Sequence, residues 1–284
     1  MDFPYWIKKR VIINSKFNEI QDAIEKLNLN TVCYSAKCPN RFECFSRAHL
    51  SFLILGNVCT RTCAFCGIKN SLPEKIDIDE PERISYAVSV LDIKYIVITS
   101  VTRDDLPDGG AEQFYKTVLA VRKTNPTTRI EVLIPDFRGK PKYLSHIIES
   151  NPDVIAYNIE TVKSLYRRVR PNSSYERSMR VLSFLSKNSK KCIVKTSIML
   201  GLGEKQEEVL STIRQLRLTG CRVLVIGQYL KPDRNCLDVK RFIPLGEFKR
   251  YSEFAYKMGF KYVLSSPFAR SSYLAQNALL KLRG

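Results

Sequence analysis

The sequence predicts an α/β fold: an incomplete parallel (βα)6 TIM-like barrel with N-terminal and C-terminal extensions. Three observations predict it. Short, near-continuous apolar runs alternate with segments whose apolar residues recur at helical spacing, the pattern of a parallel sheet covered by helices. Six such strand–helix units follow one another, too few to close a full barrel. The C-terminal ends of the strands are polar, which is where a barrel of this kind gathers its chemistry.

Taken in order, residues 1–49 precede the first strand. Phe3, Pro4, Tyr5 and Trp6 form an apolar anchor expected to pack on the main body, and 18–28 has helical spacing through Ile20, Ala23, Ile24 and Leu27. The apolar run 50–56, ended by Gly56, reads as a buried strand. Further strands are expected at 94–99, 129–134, 154–158, 192–199 and 222–227, with a short last one at 261–264. Helices are expected at 111–124, 141–150, 174–188, 205–219 and 245–258. Asp108-Gly109-Gly110 reads as a turn. No solenoid repeat, low-complexity tract or interdomain linker interrupts the pattern.

With 284 residues and 44% hydrophobic composition, the chain can build a sizeable core. Nine cysteines are many for this length, and six crowd between Cys33 and Cys66. Clustered thiols with no secretory signal predict a reducing compartment and metal ligation rather than disulfides. The N-terminus lacks an apolar signal core and no run is long enough to span a bilayer, so a cytoplasmic protein is expected. Cys192 and Cys221 begin apolar runs and read as small buried hydrophobes. The net charge of +18 suits an anionic partner or a dispersed basic coat. Its densest local group is Arg167, Arg168 and Arg170.

The chemistry centres on residues 57–68, where Cys59, Cys63 and Cys66 have three and then two residues between them, on the loop leaving the first strand. Three thiolates on a tight loop can hold three irons of a [4Fe–4S] cluster and leave the fourth open to a small chelating molecule. Half of a zinc site and an oxidised cross-link are the plainer readings. Zinc is disfavoured by the scarcity of histidine, since only His49 and His146 occur. A second trio, Cys33, Cys38 and Cys44, has gaps of four and five residues and is again one ligand short of a closed cluster. Two incomplete trios are hard to explain as packing. The strand ends carry Thr102, Asp104, Asp105, Asp136, Arg138, Asn158, Glu160, Thr161, Gly203, Glu204, Gln228 and Tyr229.

Along nearly its whole length the sequence resembles the lipoyl synthase family of the radical S-adenosylmethionine (SAM) superfamily. The resemblance is carried by both cysteine trios, by 100–111, 134–139, 158–162, 169–171, 195–204 and 228–230, and by Arg270-Ser271-Ser272-Tyr273. It implies radical insertion of two sulfur atoms, at C6 and C8, into an octanoyl chain on a lysine of a carrier domain. Those carbons are unactivated, so a radical cofactor has to abstract their hydrogens. The implied cofactors are SAM and two [4Fe–4S] clusters, one on Cys59, Cys63 and Cys66. The auxiliary one, on Cys33, Cys38 and Cys44, donates the sulfur. Its fourth ligand is a serine, Ser272 or Ser271, of which Ser272 is preferred; the residues alone read those serines as the cap of a helix from Tyr273 onward. No catalytic residue beyond the clusters is implied. By analogy to related barrels, SAM is expected to contact Thr102, Asp104, Asp105, Asn158, Glu160, Gly203, Glu204, Gln228 and Tyr229. The implied partners are octanoylated carrier domains (2-oxoacid dehydrogenase E2 subunits and the glycine cleavage H protein) and an electron donor such as ferredoxin or flavodoxin; neither nucleic acid nor membrane is expected. The resulting division is 1–49 with the auxiliary-cluster cysteines, 50–264 as the radical SAM partial barrel, and 265–284 with the serine motif. In the family the positions of Tyr34 and Ser35 are commonly acidic and that of Cys236 is commonly His, so Cys236 is an additional thiol. The rivals are a radical SAM methylthiotransferase acting on tRNA, disfavoured by the trio spacing and the lack of an appended RNA-gripping β-barrel, and a non-catalytic zinc-binding interaction protein.

Overall fold

In the computed structural model, which describes residues 3–283, internal packing divides the chain into two units. The first comprises 11–61 and 67–155, the second 1–10, 62–66 and 156–284.

In the first unit, Asn14 accepts the Phe17 N–H at 3.0 Å and so starts helix α1 (Ser15–Lys26) earlier than apolar spacing suggested. Helices α2 (Val32–Ser35) and α3 (Arg41–Ser46) follow. Strand β1 (Leu50–Ile54) is buried along its whole length. Each such Leu, Ile or Phe contributes about 1.5–3 kcal/mol by leaving water. The cysteine loop adds a small parallel pair, β2 (Val58–Cys59) and β3 (Lys69–Asn70). Helix α4 (Glu80–Val90) was not expected. It is followed by β4 (Tyr95–Ser100), α5 (Ala111–Thr124), β5 (Arg129–Leu133) and α6 (Pro141–Glu149). The turn before α5 forms as expected, with the Asp108 carboxylate accepting the N–H groups of Gly110 and Glu112. Gly110 has φ +89°, and a Cβ there would lie 2.2 Å from Leu55 Cδ1, so any other residue would strain the backbone and displace that side chain. Parallel register aligns Leu53 with Thr99 and Thr99 with Leu133, bringing the ends of the three strands to one level.

Strand β6 (Val154–Ala156) leads into α7 (Tyr166–Val169), α8 (Tyr175–Asn188), β7 (Ile193–Leu200), α9 (Gln206–Leu218), β8 (Val223–Gln228), α10 (Leu245–Lys257), β9 (Tyr262–Ser266) and α11 (Gln276–Arg283). Register sets Leu200 beside Gln228 and Gly227 beside Ser266. The parallel sheet therefore has seven strands, in the order β1-β4-β5-β6-β7-β8-β9; the last, expected only as a short addition, pairs over five positions with β8. Helix α11 starts at Gln276, so Ser271 and Ser272 do not cap a helix from Tyr273. The N-terminal anchor is held mainly by Ile7, which is buried, and by Phe3 tilted against Phe242 at 5.5 Å, while Phe3 and Tyr5 stay largely exposed. Cys192 and Cys221 are buried, as expected of small hydrophobes. Among the described residues no helix is long and apolar enough to cross a membrane.

Candidate active site

The first cysteine trio lies on two short helices of the first unit. Cys33 is on α2, Cys44 on α3, and Cys38 on the turn between, whose N–H donates to the Cys33 carbonyl at 3.1 Å. Phe17 packs on Phe42 and Phe45 beneath it, and the Arg41 guanidinium stacks over Tyr34 and Phe42. Burial, then the adjacent Cys38 and Cys44 thiols, push the Cys33 thiol well above its ordinary range. Among the described residues no group of three His, Cys, Asp or Glu side chains is already gathered around one ion position. Three sulfur donors on one short segment match the soft ligand set of an iron–sulfur cluster, which gives each thiolate its own iron.

Cys59 ends strand β2. Its sulfur accepts the backbone N–H groups of Thr102 at 3.3 Å and Arg61 at 3.4 Å. Thr60 Oγ1 donates to the Thr102 carbonyl and accepts the Asp104 N–H, tying the cysteine loop to the loop after β4. Sequence reasoning missed the residue that fastens this join. Arg61, with its side chain 4% exposed, forks onto Asp104 at 2.6 and 2.9 Å and reaches Asp136, fully buried, at 2.7 Å. Arg138 adds a bond to Asp104 at 3.3 Å. Burial raises the Asp104 carboxyl, but Arg61 and then Arg138 outweigh it and hold the group below the usual range. An arginine between two cysteines, followed by Asp104 and Asp136 at successive strand ends, was the available signal. Asp104 is thus engaged by arginines, and the exposed Asp105 is paired with Arg103. Thr102 is half-buried, with its backbone turned to Cys59.

In the second unit, Cys66 closes a turn on Cys63, its N–H donating to the Cys63 carbonyl at 3.0 Å. Ala64 donates to the Val169 carbonyl and accepts from the Leu237 N–H, while Phe65 packs on Val169, Leu202 and Tyr229. The Cys236 thiol donates to the Cys66 carbonyl at 3.3 Å. Asn158 and Glu160 leave β6 at the level of β7. Glu160 adopts φ +68°, its N–H donates to the Ser197 carbonyl, and its own carbonyl accepts the Met199 N–H. Burial pushes its carboxyl up, opposed by Arg170, Asn158 and Arg270. The Oδ1 of Asn158 and the Oγ1 of Thr161 are buried without a hydrogen-bond partner, so this strand end still has polar capacity to offer.

Other rim residues turn inward. Both Glu204 oxygens accept N–H groups, from Gly201 at 2.6 Å and Leu202 at 2.9 Å, and the neighbouring Gly203 has φ +111°. Gln228, fully buried, donates to the carbonyls of Leu200, Tyr229 and Arg241 and accepts the Ile243 N–H. The Tyr229 hydroxyl donates to the Leu237 carbonyl at 2.7 Å. The basic group expected at the surface divides. Arg167 and Arg168 are exposed, but Arg170 is 9% exposed, donating to the Tyr166 hydroxyl at 2.8 Å and the Asn158 carbonyl at 3.1 Å, because Tyr157 and Tyr166 form a polar-tipped pocket for it. Arg170 is therefore interior and not part of a docking surface. Ser271 Oγ is buried without a partner, while Ser272 is half-buried.

A parallel seven-stranded sheet with a three-cysteine loop after its first strand defines a radical SAM enzyme, and the family model described as Radical SAM superfamily matches residues 53–216. A maturase of the [FeFe]-hydrogenase has a similar fold, with TM-score 0.61 and 13% identity over 96% of this chain and 71% of that one. A curated protein of Caldicellulosiruptor bescii named lipoyl synthase is 46% identical over 274 residues, 96% of this chain and 94% of its own. One of the same name from Flavobacterium johnsoniae is 46% identical over 277 residues, 98% of this chain and 96% of its own. The chain belongs to the lipoyl synthase family of the radical SAM superfamily. It is an enzyme of the radical SAM sulfurtransferase class, and the tRNA methylthiotransferase alternative is not favoured. The family uses SAM and [4Fe–4S] clusters, one of them auxiliary, and acts on lipoyl carrier domains.

Proposed function

We propose that this chain performs the sulfur insertion with the following residues. Cys59, Cys63 and Cys66 hold the SAM-binding cluster; Cys33, Cys38 and Cys44 hold the auxiliary cluster, with Ser272 as its fourth ligand. The observation that carries this reading is the placement of the first trio, with Cys33 on α2, Cys44 on α3 and Cys38 on the turn between, whose N–H closes onto the Cys33 carbonyl. Bound there, the clusters and SAM supply hydrogen abstraction from unactivated carbon and the sulfur to replace it.

The chain's own residues orient and enclose. The Thr102 and Arg61 N–H groups donate to the Cys59 sulfur, and the Arg61–Asp104–Asp136 network keeps that loop in shape. In the second unit Asn158 and Glu160 are the residues best placed to meet SAM, Asn158 through its unpartnered Oδ1 and Glu160 as the acceptor for an ammonium group. Gly203 offers backbone; Thr102, Asp104, Asp105, Glu204, Gln228 and Tyr229 shape the surroundings, since the Thr102 backbone groups and the polar side-chain groups of the others are engaged by the protein. Ser272 is favoured over Ser271 because it is the more exposed of the two serines.

The division at 49 and 264 follows these roles: extension, barrel, serine-bearing tail. The carrier is an octanoylated E2 subunit or glycine cleavage H protein, the electron donor a ferredoxin or flavodoxin, and the setting the cytoplasm. The charge of +18 supports encounter with an acidic carrier domain. The deciding experiment is anaerobic incubation with an octanoylated carrier domain, SAM and reductant, read by mass. A product with two sulfurs is expected, absent in Ser272→Ala but present in Ser271→Ala. Octanoyl carrier recovered without added sulfur, or zinc in place of iron in the purified protein, would remove the reading.

A further inference from the structure

Lys195 is the one lysine among the largest fully buried side chains, 1% exposed, and it interrupts the apolar run of strand β7. Lysine is almost never buried this way without an engagement that repays the desolvation. Its ammonium donates to the Ser271 carbonyl at 2.8 Å. The strand beneath is fixed: the Tyr157 N–H donates to the Lys195 carbonyl, and Lys195 lies in register with Val223.

The segment it reaches is gripped from other sides too. The Lys9 ammonium sits 5.1 Å from the Phe268 ring centre and 4.7 Å from that of Tyr273. Gly227 lets the backbone before the motif come so close that a Cβ there would lie 2.1 Å from the Ala269 oxygen. The Arg270 guanidinium folds back onto the Pro267 and Ala269 carbonyls. We infer that Lys195 is a positioning residue for the oxygen ligand of the auxiliary cluster, acting through the Ser271 carbonyl on Ser272. This rests on Ser272 being that ligand. The physical reason is short: the Ser271 carbonyl belongs to the rigid peptide plane that also carries the Ser272 nitrogen. With that plane pinned, only φ and χ1 of Ser272 separate it from the hydroxyl. A ligand on a pinned plane loses little further freedom when it binds iron, so its hold on the cluster strengthens.

The test uses the full chain with Cys59, Cys63 and Cys66 replaced by Ala, so that bound iron reports the auxiliary cluster alone. Lys195→Met keeps the stem and removes the donor; Lys195→Arg restores a cationic donor. In the Met variant, loss of iron to an Fe(II) chelator is expected to be about tenfold faster or more, from the loss of one charge-assisted hydrogen bond. The electron paramagnetic resonance signature should move toward that of Ser272→Ala, and amide exchange across 268–275 should speed up. The Arg variant should recover at least part of each. Ser272→Ala without effect on signature or iron loss would sink the ligand reading itself. If Ser272→Ala changes both while Lys195→Met changes neither, the ligand stands and the positioning role is overturned. Global loss of folding in both Lys195→Met and Lys195→Gln would assign the lysine to the fold at large and overturn it equally.

Discussion

Arg61→Met removes one guanidinium from a network in which both acids depend on it. Asp136 is fully buried and accepts from Arg61 at 2.7 Å and from the Arg138 N–H at 3.0 Å. Asp104 is partly exposed and keeps Arg138, so its loss is the smaller one. Removing one partner of a buried ion pair costs about 3–5 kcal/mol, and the exposed Asp104 end argues for the lower part of that range. For a chain of this size about 3 kcal/mol lowers Tm by roughly 5 °C. Thermal unfolding followed by circular dichroism measures it. Adding Asp136→Asn removes the stranded charge and should recover more than half of the loss, since residues in direct contact couple strongly. The variant should also bind less iron, because the Arg61 and Thr102 N–H groups that serve the Cys59 sulfur sit on the loops it joins. A loss below about 1 kcal/mol, or a double variant no more stable than the single one, would refute the reasoning.

Replacing Cys33, Cys38 or Cys44 by Ala should leave SAM cleavage to 5′-deoxyadenosine intact and abolish sulfur insertion; full lipoyl product from any of them would rule out the donor role. The Glu160 carboxyl titrates above its ordinary value in the folded chain. The unfolded state therefore ionises first as pH rises through the carboxylate range, and stability falls until the folded pKa is passed. Glu160→Gln should thus be more stable than the parent at neutral pH and equal to it below about pH 4, and equal melting at neutral pH would contradict this. Association with an octanoylated carrier domain should slow steeply with added salt while turnover on a short octanoyl-lysine peptide changes little. Arg167→Glu with Arg168→Glu should slow that association several-fold; equal salt sensitivity for domain and peptide would make the charge a mere coat.

The alternation of apolar strands and helices was legible because nearly every sheet strand is buried on both faces, so its sequence is a plain apolar run. Helix α4 escaped notice for the opposite reason. Its inward face holds Ile84, Ala87 and Val88, but Tyr86 and Val90 lie exposed on the other side and blur the amphipathic pattern. At the rim, polar residues at strand ends were correctly located, yet a sequence does not say where a polar side chain points. Gln228 and Glu204 are read from the sequence only as polar rim residues, and the structure adds that their side chains hold backbone groups of neighbouring turns. Arg170 stands beside two exposed arginines in the sequence and is interior, because a four-residue helix turns it toward Tyr157 and Tyr166. Arg61 and Lys195 were passed over because each looks like one more member of a basic composition; only their burial sets them apart.

The second unit gathers residues 1–10 and 62–66 with everything after 155, and this interleaving sets a timetable for the chain as it leaves the ribosome. The first unit can complete itself once residue 155 has emerged. The stretch carrying Cys63 and Cys66 cannot, because its backbone partners are Val169 and Leu237, and Lys9 waits longer still for Phe268 and Tyr273. At ordinary rates of synthesis that delay is on the order of ten seconds or more. Throughout it, two of the three thiols of the loop have no fixed geometry and stand open to oxidation. Cells that make this protein in air should therefore yield chains damaged at Cys63 and Cys66 before Cys33 or Cys44, a bias that peptide mapping of sulfinic and sulfonic acids can read directly.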